Sequence, residues 1–184
     1  MRIVAGTHRG RPLRAPRGRE TRPTADRVRE AMFALIGPVD DEDVLDLFAG
    51  SGALALEALS RGARAATLVD RSAPALAVAR ANAAALGLEE KVRTVRADWR
   101  AALRRLEREG TRFGLCLIDP PYSLLPRIAE AMGPALAPVL AAGSAVVVEH
   151  GADVVFELPG LPVARADRRV YGDSGVTLLR MEST

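Results

Sequence analysis

The most distinctive chemistry in the sequence lies in four consecutive residues, Asp119-Pro120-Pro121-Tyr122, which follow an apolar stretch. The two prolines remove two N–H donors and keep the backbone out of a helix, and Pro120 restricts Asp119 to an extended conformation. A carboxylate and unpaired carbonyl groups therefore lie beside an aromatic ring. An ordinary Pro-Pro turn, with the Asp as a local cap, is the alternative interpretation.

Acceptors without donors suit the amino group of a substrate. The exocyclic amine of a nucleobase is a poor nucleophile, because its lone pair is delocalised into the ring. If Asp119 and the carbonyl of Pro120 held its two hydrogens, the lone pair would turn toward an electrophile, and Tyr122 could stack on a base that has left its helix or loop. We therefore predict a catalytic set of Asp119, Pro120, Pro121 and Tyr122.

A second candidate site is the apolar stretch that runs from Val44 into the glycine-rich turn Gly50-Ser51-Gly52. Glycines let a turn adopt unusual dihedral angles, and the helix that follows presents free N–H groups. Asp70 ends the next apolar stretch, where a carboxylate can accept hydrogen bonds from both hydroxyls of a ribose. The turn also fits the dinucleotide pattern G-x-G-x-x-[G/A], so an NAD or FAD site stays open at this point.

Two further predicted strand ends carry polar residues. Asp98-Trp99 could receive an adenine, with the carboxylate accepting from the amino group and the indole lying against the ring; the alternative is a capping Asp beside a half-buried Trp. Glu149 and His150 end the fifth apolar stretch, and we expect structural roles for both.

These residues are positioned by a regular alternation of short apolar strands and helices. The pattern predicts strands at about 44–48, 66–70, 92–96, 113–118 and 145–149, and helices at about 53–61, 73–86, 101–109 and 127–140. A hairpin over 165–181, with a four-residue turn at 172–175, ends the chain. We predict a doubly wound α/β fold with a mostly parallel seven-stranded sheet, an antiparallel C-terminal edge hairpin and ligands at the carboxyl ends of the strands.

The N-terminal part is a different kind of segment. Residues 2–14 predict a small hairpin rather than a core strand, and a helix capped by Thr24 follows and ends at Gly37-Pro38. Residues 1–36 hold nine of the arginines against Glu20, Asp26 and Glu30, although the net charge of the whole chain is only +3. Such clustering is typical of binding to a phosphate backbone, whereas a general preference for Arg would not confine the excess to one end. We predict an RNA-binding extension over 1–37 and a catalytic domain over 38–184.

Composition excludes several other classes. Cys116 is the single cysteine and His8 and His150 are the only histidines, so no zinc-ligand spacing exists and we predict no metal. No apolar run approaches the ~18 residues of a membrane span, and the N-terminus lacks the apolar region of a signal peptide. We expect a cytoplasmic protein.

Taken together, these motifs resemble a class I S-adenosylmethionine-dependent amino-methyltransferase. The matching residues are Asp46 to Gly52, Asp70, Asp98 and Asp119 to Tyr122. More narrowly, Ile3-Val4-Ala5-Gly6 with Arg9-Gly10, Arg22 to Glu30 and Ala53 to Ala63 resemble the RsmD-type 16S ribosomal RNA guanine-N2 methyltransferases. Ala25 stands where that family usually has a second Thr.

The resemblance implies a role for each matching residue. The methionine part of the cofactor would contact Asp46, Ala49, Gly50, Ser51 and Gly52. The ribose and adenine would contact Asp70, Arg71, Asp98 and Trp99, while Thr24 and Arg27 would approach the cofactor carboxylate. The RNA, free or in a small-subunit (30S) assembly particle, would contact Arg2, Arg9, Arg11, Arg14, Arg17 and Arg22, and the protein would act as a monomer.

Three alternatives remain open from the sequence. A DNA adenine or cytosine N-methyltransferase would share the Asp-Pro-Pro-Tyr chemistry, although no segment is large enough for a separate DNA-reading domain. An NAD-linked oxidoreductase would leave the Asp119 cluster unexplained. A non-enzymatic RNA-binding protein would leave the glycine turn and Asp70 unexplained.

Overall fold

The computed structural model describes residues 1–15, 23–121 and 123–183. Along this part of the chain, five α-helices and seven strands alternate for most of its length. In order they are α1 (Pro23–Ile36), β1 (Asp43–Asp46), α2 (Ala53–Ser60), β2 (Ala65–Asp70), α3 (Ala73–Leu86), β3 (Val92–Arg96), α4 (Trp99–Arg108), β4 (Phe113–Ile118), α5 (Leu125–Leu136), β5 (Leu140–Gly151), β6 (Val163–Tyr171) and β7 (Ser174–Met181).

The seven strands form one mixed sheet in the order β3-β2-β1-β4-β5-β7-β6. Strands β1 to β5 are parallel, whereas β7 pairs antiparallel with both β5 and β6. Helices α1, α2 and α3 pack on one face of the sheet, and α4 and α5 pack on the other. The predicted doubly wound fold with an antiparallel edge hairpin is confirmed. Because the strand order reverses between β1 and β4, a crevice is expected at their carboxyl ends.

Local signals in the sequence set several element boundaries as predicted. Ser72 caps α3 by accepting a hydrogen bond from the N–H of Ala75 at 3.3 Å, and Gly87 ends the same helix with a φ of +70°. Gly37 ends α1 in the same left-handed region, with a φ of +84°. These positions need a side-chain acceptor or a residue without a Cβ, which is why the sequence alone identifies them.

Other boundaries differ from the prediction. Helix α1 begins at Pro23, so Thr24 lies inside its first turn and is not the N-cap. Helix α4 begins at Trp99 rather than Ala101, and α5 ends at Leu136, where a short 3₁₀ helix over Ala137–Val139 replaces its predicted last turn. Strand β5 is longer than predicted, because it continues along β7 to Gly151.

The terminal hairpin has a two-residue turn, so the predicted four-residue turn is wrong. Ser174 pairs with Tyr171, which leaves only Gly172 and Asp173 between the strands. Gly172 has a φ of +60°, as the first position of a type II′ turn requires. The ladder therefore gains Ser174 and Gly175 from the stretch that the prediction assigned to the turn.

The N-terminal hairpin is present but is more deeply packed than predicted. The N–H of Ile3 donates to the carbonyl of Arg11, and the N–H of Gly10 donates to the carbonyl of Ile3, both at 2.9 Å. Ile3 is fully buried and Leu13 nearly so, in the same apolar cluster as α1, α2 and α3. The hairpin is thus part of the core on this face of the sheet.

A buried carboxylate on α2 holds this hairpin in place. Glu57 is fully buried and accepts the N–H groups of Val4 at 2.8 Å and Ala5 at 2.9 Å. Arg61 pairs with it at 2.8 Å, and the Nε of Arg29 lies 3.5 Å away. Arg29 is itself buried, also pairs with Asp26 and donates to the carbonyl of Arg2. One of the nine N-terminal arginines is therefore a structural residue rather than a surface charge.

Among the described residues, no helix is both long and apolar enough to cross a membrane. The described part of the chain also has no group of three side chains that could hold a metal ion. Cys116 lies in the central strand β4 and is fully buried, and this burial raises the pKa of its thiol far above the ordinary value.

Candidate functional site

The glycine turn lies between β1 and α2 and is fixed by bonds to β2. The N–H of Ala49 donates to the carbonyl of Val69, and the N–H of Gly50 donates to Oδ2 of Asp70, both at 3.0 Å. Gly50 and Gly52 have φ values of +55° and +78°. A Cβ on Gly52 would lie 3.0 Å from the side chain of Leu68 and 3.2 Å from that of Ala79. Gly52 is thus required by packing, while Gly50 borders the crevice.

Asp70 ties the turn to the start of α3. Its Oδ1 accepts the N–H of Ser72 at 2.8 Å while its Oδ2 accepts that of Gly50. Each carboxylate oxygen can accept more than one hydrogen bond, so these two bonds leave acceptor capacity on the side chain. Asp70 is only partly buried and borders the crevice. The structure therefore fixes its orientation with two backbone donors while leaving it available to a ligand.

Asp46 lies underneath the same turn. It is 1% exposed, and its Oδ2 accepts the N–H of Ala55 at 3.3 Å, whereas its Oδ1 has no hydrogen-bond partner among the described residues. Burial, with a smaller effect of the nearby Asp70 charge, raises the pKa of Asp46 to about 7. Asp46 does not line the crevice and supports the turn from below.

At the end of β3, the capping role of Asp98 is confirmed, while adenine binding by Asp98-Trp99 stays a prediction. Asp98 caps α4 by accepting the N–H of Arg100 at 3.0 Å, and Trp99 is 4% exposed rather than half-buried. The guanidinium of Arg100 lies 4.5 Å from the centre of the Trp99 ring. All three residues nevertheless border the crevice. Capping fixes their positions and does not remove them from the candidate site.

These strand ends enclose one crevice of about 400 Å³ at the carboxyl edge of the sheet. Its volume lies in the range of small-molecule sites, which is about 300–1,000 Å³. Carboxylates from β2, β3 and β4 border it together with apolar side chains. The lining residues are Leu47, Phe48, Gly50, Asp70, Arg71, Ser72, Ala75, Ala97, Asp98, Trp99, Arg100, Asp119, Pro121, Leu124 and Ile128.

The crevice brings together seven of the predicted site residues: Gly50, Asp70, Arg71, Asp98, Trp99, Asp119 and Pro121. Four others lie behind it in the turn and the strand before it, namely Asp46, Ala49, Ser51 and Gly52. Pro120 is buried beside Asp119, and Arg27 is exposed on α1. Tyr122, Arg17, Arg22 and the side chain of Thr24 lie outside the described residues.

Sequence reasoning missed about half of the lining. Leu47, Phe48, Ser72, Ala97 and Arg100 are each within two residues of a predicted site residue, so proximity to the strand ends could have identified them. Leu124, just before α5, is likewise two residues from the predicted Tyr122. Ala75 and Ile128 lie on helices and carry no such signal, because their presence depends on how α3 and α5 pack against the sheet.

The predicted RNA-binding arginines that the structure describes lie at the surface. Arg2, Arg9, Arg11 and Arg14 are all exposed, and the guanidinium of Arg11 donates to the carbonyl of Ala85 at 2.8 Å. The hairpin thus presents several cations to solvent. Whether RNA contacts them stays a prediction at this point.

His150 has a structural environment, in agreement with expectation. It is fully buried, stacks on Phe156, and its ring nitrogens lie 2.8 Å from the carbonyl of Gly151 and from Oγ1 of Thr177. Burial lowers the pKa of His150. The carbonyl of Gly151 can only accept, so Nδ1–H donates to it, which leaves Nε2 of the neutral ring to accept from the hydroxyl of Thr177. Glu149 accepts a hydrogen bond from Ser174 on β7.

Comparison with known proteins gives a consistent family relationship. The model of the family described as "Conserved hypothetical protein 95" matches residues 1–180. The Bacillus subtilis protein named "Putative rRNA methyltransferase YlbH" is 36% identical over 189 residues, which cover 98% of each chain. The Escherichia coli protein named "Ribosomal RNA small subunit methyltransferase D" is 42% identical over 123 residues, 66% of this chain and 60% of that protein.

A solved structure shares the whole architecture. The Escherichia coli structure titled "Putative methyltransferase yhhF" superposes with a TM-score of 0.83 at 33% identity, and the match covers 100% of this chain and 99% of that one. The likeness therefore includes the N-terminal hairpin and α1 as well as the sheet.

Proposed function

This chain belongs to the family described as Conserved hypothetical protein 95, the RsmD family, and we propose that it transfers a methyl group from S-adenosylmethionine to the N2 amine of one guanine in small-subunit ribosomal RNA. It is a methyltransferase with the class I fold, and its cofactor is S-adenosylmethionine. The observation that carries the proposal is the crevice bordered by Asp70, Asp98 and Asp119, at the carboxyl ends of three parallel strands.

The residues of this crevice fit the cofactor. Asp70 keeps acceptor capacity for ribose hydroxyls, and the carboxylate of Asp98 next to Trp99 provides an acceptor and an aromatic surface for an adenine. Gly50 has no side chain and allows close approach of the methionine part to the turn. S-adenosylmethionine, when bound, supplies an electrophilic methyl group on a positively charged sulfur.

Asp119 and the prolines act on the other reactant. The carboxylate of Asp119 and the carbonyl of Pro120 accept the two hydrogens of the guanine N2 amine and direct its lone pair toward the methyl group. The nitrogen would gain positive charge as it receives the methyl group, with S-adenosylhomocysteine as the leaving group, and the carboxylate of Asp119 would stabilise that charge. The amine then loses one proton, to Asp119 or to water. The rate enhancement comes mainly from positioning and from this charge stabilisation.

Incubation with labelled cofactor tests the substrate assignment. Purified protein is given S-adenosylmethionine with a labelled methyl group and either small-subunit particles, naked small-subunit rRNA or DNA, and the modified base is then mapped. We expect label on N2 of one guanine in the RNA or the particle. Label on an adenine or a cytosine, or on DNA, would contradict the guanine assignment.

We also propose that residues 1–37 bind the RNA, while residues 38–184 bind the cofactor and the target base. This division is one of function, because the hairpin shares its apolar core with α2 and α3. The exposed arginines of the hairpin are not paired with carboxylates in the described part of the chain, whereas Arg29 is. The charge that remains on this surface suits RNA phosphates.

A charge-matched comparison tests this division. A triple variant with Ala in place of Arg9, Arg11 and Arg14 should have a higher KM for RNA. The slope of log RNA affinity against log salt concentration should become shallower by about 2–3. The matched control replaces three exposed arginines near the end of α4 and after it, Arg104, Arg108 and Arg112. Equal effects of the two triple variants would mean that net charge, not the hairpin, attracts the RNA.

We further propose a monomer that acts on free RNA or on a 30S assembly particle in the cytoplasm. Light scattering of the protein with and without RNA checks the monomeric state. Comparing initial rates on naked RNA and on particles identifies the preferred substrate.

A further inference from the structure

A buried amide on α3 connects the N-terminal hairpin with the cofactor turn. Asn82 is 2% exposed, and its Oδ1 accepts the N–H of Arg14 at 2.8 Å. Its Nδ2 donates to the carbonyl of Arg14 and to the carbonyl of Ser51, each at 3.0 Å. One side chain thus bonds both polar groups of a backbone position in the RNA-binding extension and one carbonyl in the glycine turn.

The orientation of the Asn82 amide is fixed by its partners. The N–H of Arg14 can only donate, so it requires the oxygen of the amide. The carbonyls of Arg14 and Ser51 can only accept, so they require the nitrogen. A flipped amide would place like groups against one another at all three contacts. An amide is therefore needed here, and a carboxylate of the same shape could satisfy only the first contact.

Asp46 holds the same turn from the other side. Ser51 precedes α2 and its cap residue Gly52, so its carbonyl is not part of the hydrogen-bond ladder of the helix and can accept from Asn82. The N–H of Ala55, in the first turn of α2, also has no partner within the helix, and it bonds to the carboxylate of Asp46 at 3.3 Å. Asp46 and Asn82 thus hold the turn from two sides, and the position of the turn depends on the position of Arg14.

We propose that Asn82 is a positioning residue that couples RNA binding by the N-terminal extension to cofactor binding at the glycine turn. The inference rests on the proposed function and goes beyond it, because the two binding events need not be coupled for methyl transfer. RNA that fixes the hairpin also fixes Arg14, and through Asn82 it fixes the turn. The two ligands therefore strengthen each other's binding, by the same factor in each direction.

Calorimetry with S-adenosylhomocysteine tests the coupling without turnover. The Kd of this product is measured in the absence of RNA and in the presence of a saturating small-subunit rRNA fragment that the wild-type protein methylates. We expect RNA to lower the Kd by at least about fivefold in the wild type. In Asn82→Ala the ratio of the two Kd values should fall to near one, even in a protein that stays folded by circular dichroism.

Two further variants separate coupling from general damage. Asn82→Asp keeps the shape of the side chain and the acceptor for the N–H of Arg14 but removes both donated bonds, so it should also lose the coupling without leaving a cavity. Arg11→Ala removes a different bond between the hairpin and α3, that to Ala85. The Arg11→Ala variant should bind RNA more weakly, but with saturating RNA the ratio of its two Kd values for S-adenosylhomocysteine should equal that of the wild type.

The possible results are distinct. A wild-type ratio of one, or an undiminished ratio in folded Asn82→Asp, overturns the inference and leaves the proposed function intact. Failure of the wild type to bind S-adenosylhomocysteine, or to methylate the RNA, overturns the proposed function itself. Loss of the ratio in Asn82→Asp with retention in Arg11→Ala supports the coupling role.

Discussion

Glu57→Gln should cost several kcal/mol of stability although it preserves the shape of the side chain. Glu57 is fully buried and accepts the N–H groups of Val4 and Ala5 together with the Nε of Arg61. A glutamine keeps one acceptor and turns an amide toward the remaining donors. It also leaves the buried Arg29 with Asp26 as its carboxylate partner in an ion pair.

The magnitude follows from the ion pair and the hydrogen bonds that the substitution removes. Removing one partner of a buried ion pair costs about 3–5 kcal/mol, and this range includes the hydrogen bonds that the charge makes. The hairpin can limit the loss by detaching. Detachment would expose Ile3 and Leu13, whose burial together contributes about 3–6 kcal/mol. We therefore expect Glu57→Gln to lower the free energy of unfolding by about 3–5 kcal/mol. A loss near the upper end of this range would be accompanied by detachment of the hairpin.

Urea unfolding and limited trypsin digestion measure the two outcomes. Global destabilisation lowers the midpoint at an unchanged m value. A detached hairpin lowers the m value and frees the backbone after Arg9 and Arg14, which trypsin can then cleave. Glu130→Gln, an exposed site on α5, is the control and should change stability by less than about 0.5 kcal/mol. A loss below about 1 kcal/mol in Glu57→Gln, with an unchanged tryptic pattern, would refute the reasoning.

Three further predictions concern the crevice and the turn. Asp119→Ala should remove most turnover and leave cofactor affinity nearly unchanged, whereas Asp70→Ala should chiefly weaken cofactor binding. Calorimetry measures the affinity and single-turnover rates measure the chemistry. The reverse pattern would mean that the roles of the two carboxylates are exchanged. The pKa of Asp46 is about 7 in the folded protein, against a reference value of 3.8 for the unfolded chain. Between about pH 4 and pH 7 the folded protein therefore holds a proton that the unfolded chain has lost, so the free energy of unfolding falls as the pH rises. Asp46→Asn has no proton to lose, so its free energy of unfolding relative to that of the wild type should increase by about 4 kcal/mol across this pH range, as measured by urea titrations. A constant difference between the two proteins across the range would contradict the raised pKa of Asp46. Gly52→Ala should lower stability by more than about 1 kcal/mol at any pH, because φ is +78° and the added Cβ meets Leu68; an unchanged melting temperature would contradict the packing argument.

Much of this fold could be predicted from the sequence because its signals are local. The cap at Ser72 and the glycine end at Gly87 mark a helix within its own residues. Asp70 and Asp119 follow apolar strands directly, and parallel strands bring their carboxyl ends to one edge of a sheet. The crevice between them is therefore expected from the sequence alone.

The remaining features depend on contacts between distant residues. Glu57 lies in an alanine- and leucine-rich helix and resembles a surface charge, yet it bonds residues more than 50 positions earlier. Asn82 shares α3 with one other polar residue, Arg80, and only the packing of the hairpin and the glycine turn against the helix gives it partners. The short turn at Gly172 was missed for a related reason, because β7 gains two residues by pairing with β5 and β6.

The single thiol in the centre of the sheet provides a natural reporter of opening. Cys116 is fully buried and its raised pKa keeps it protonated, so a thiol reagent can react only after β4 has separated from its neighbours. The labelling rate of the unmodified protein thus measures the free energy of that opening directly. Any compound that binds only the closed protein slows the labelling by a factor of 1 + [L]/Kd, so one cysteine allows ligands to be ranked without a methylation assay.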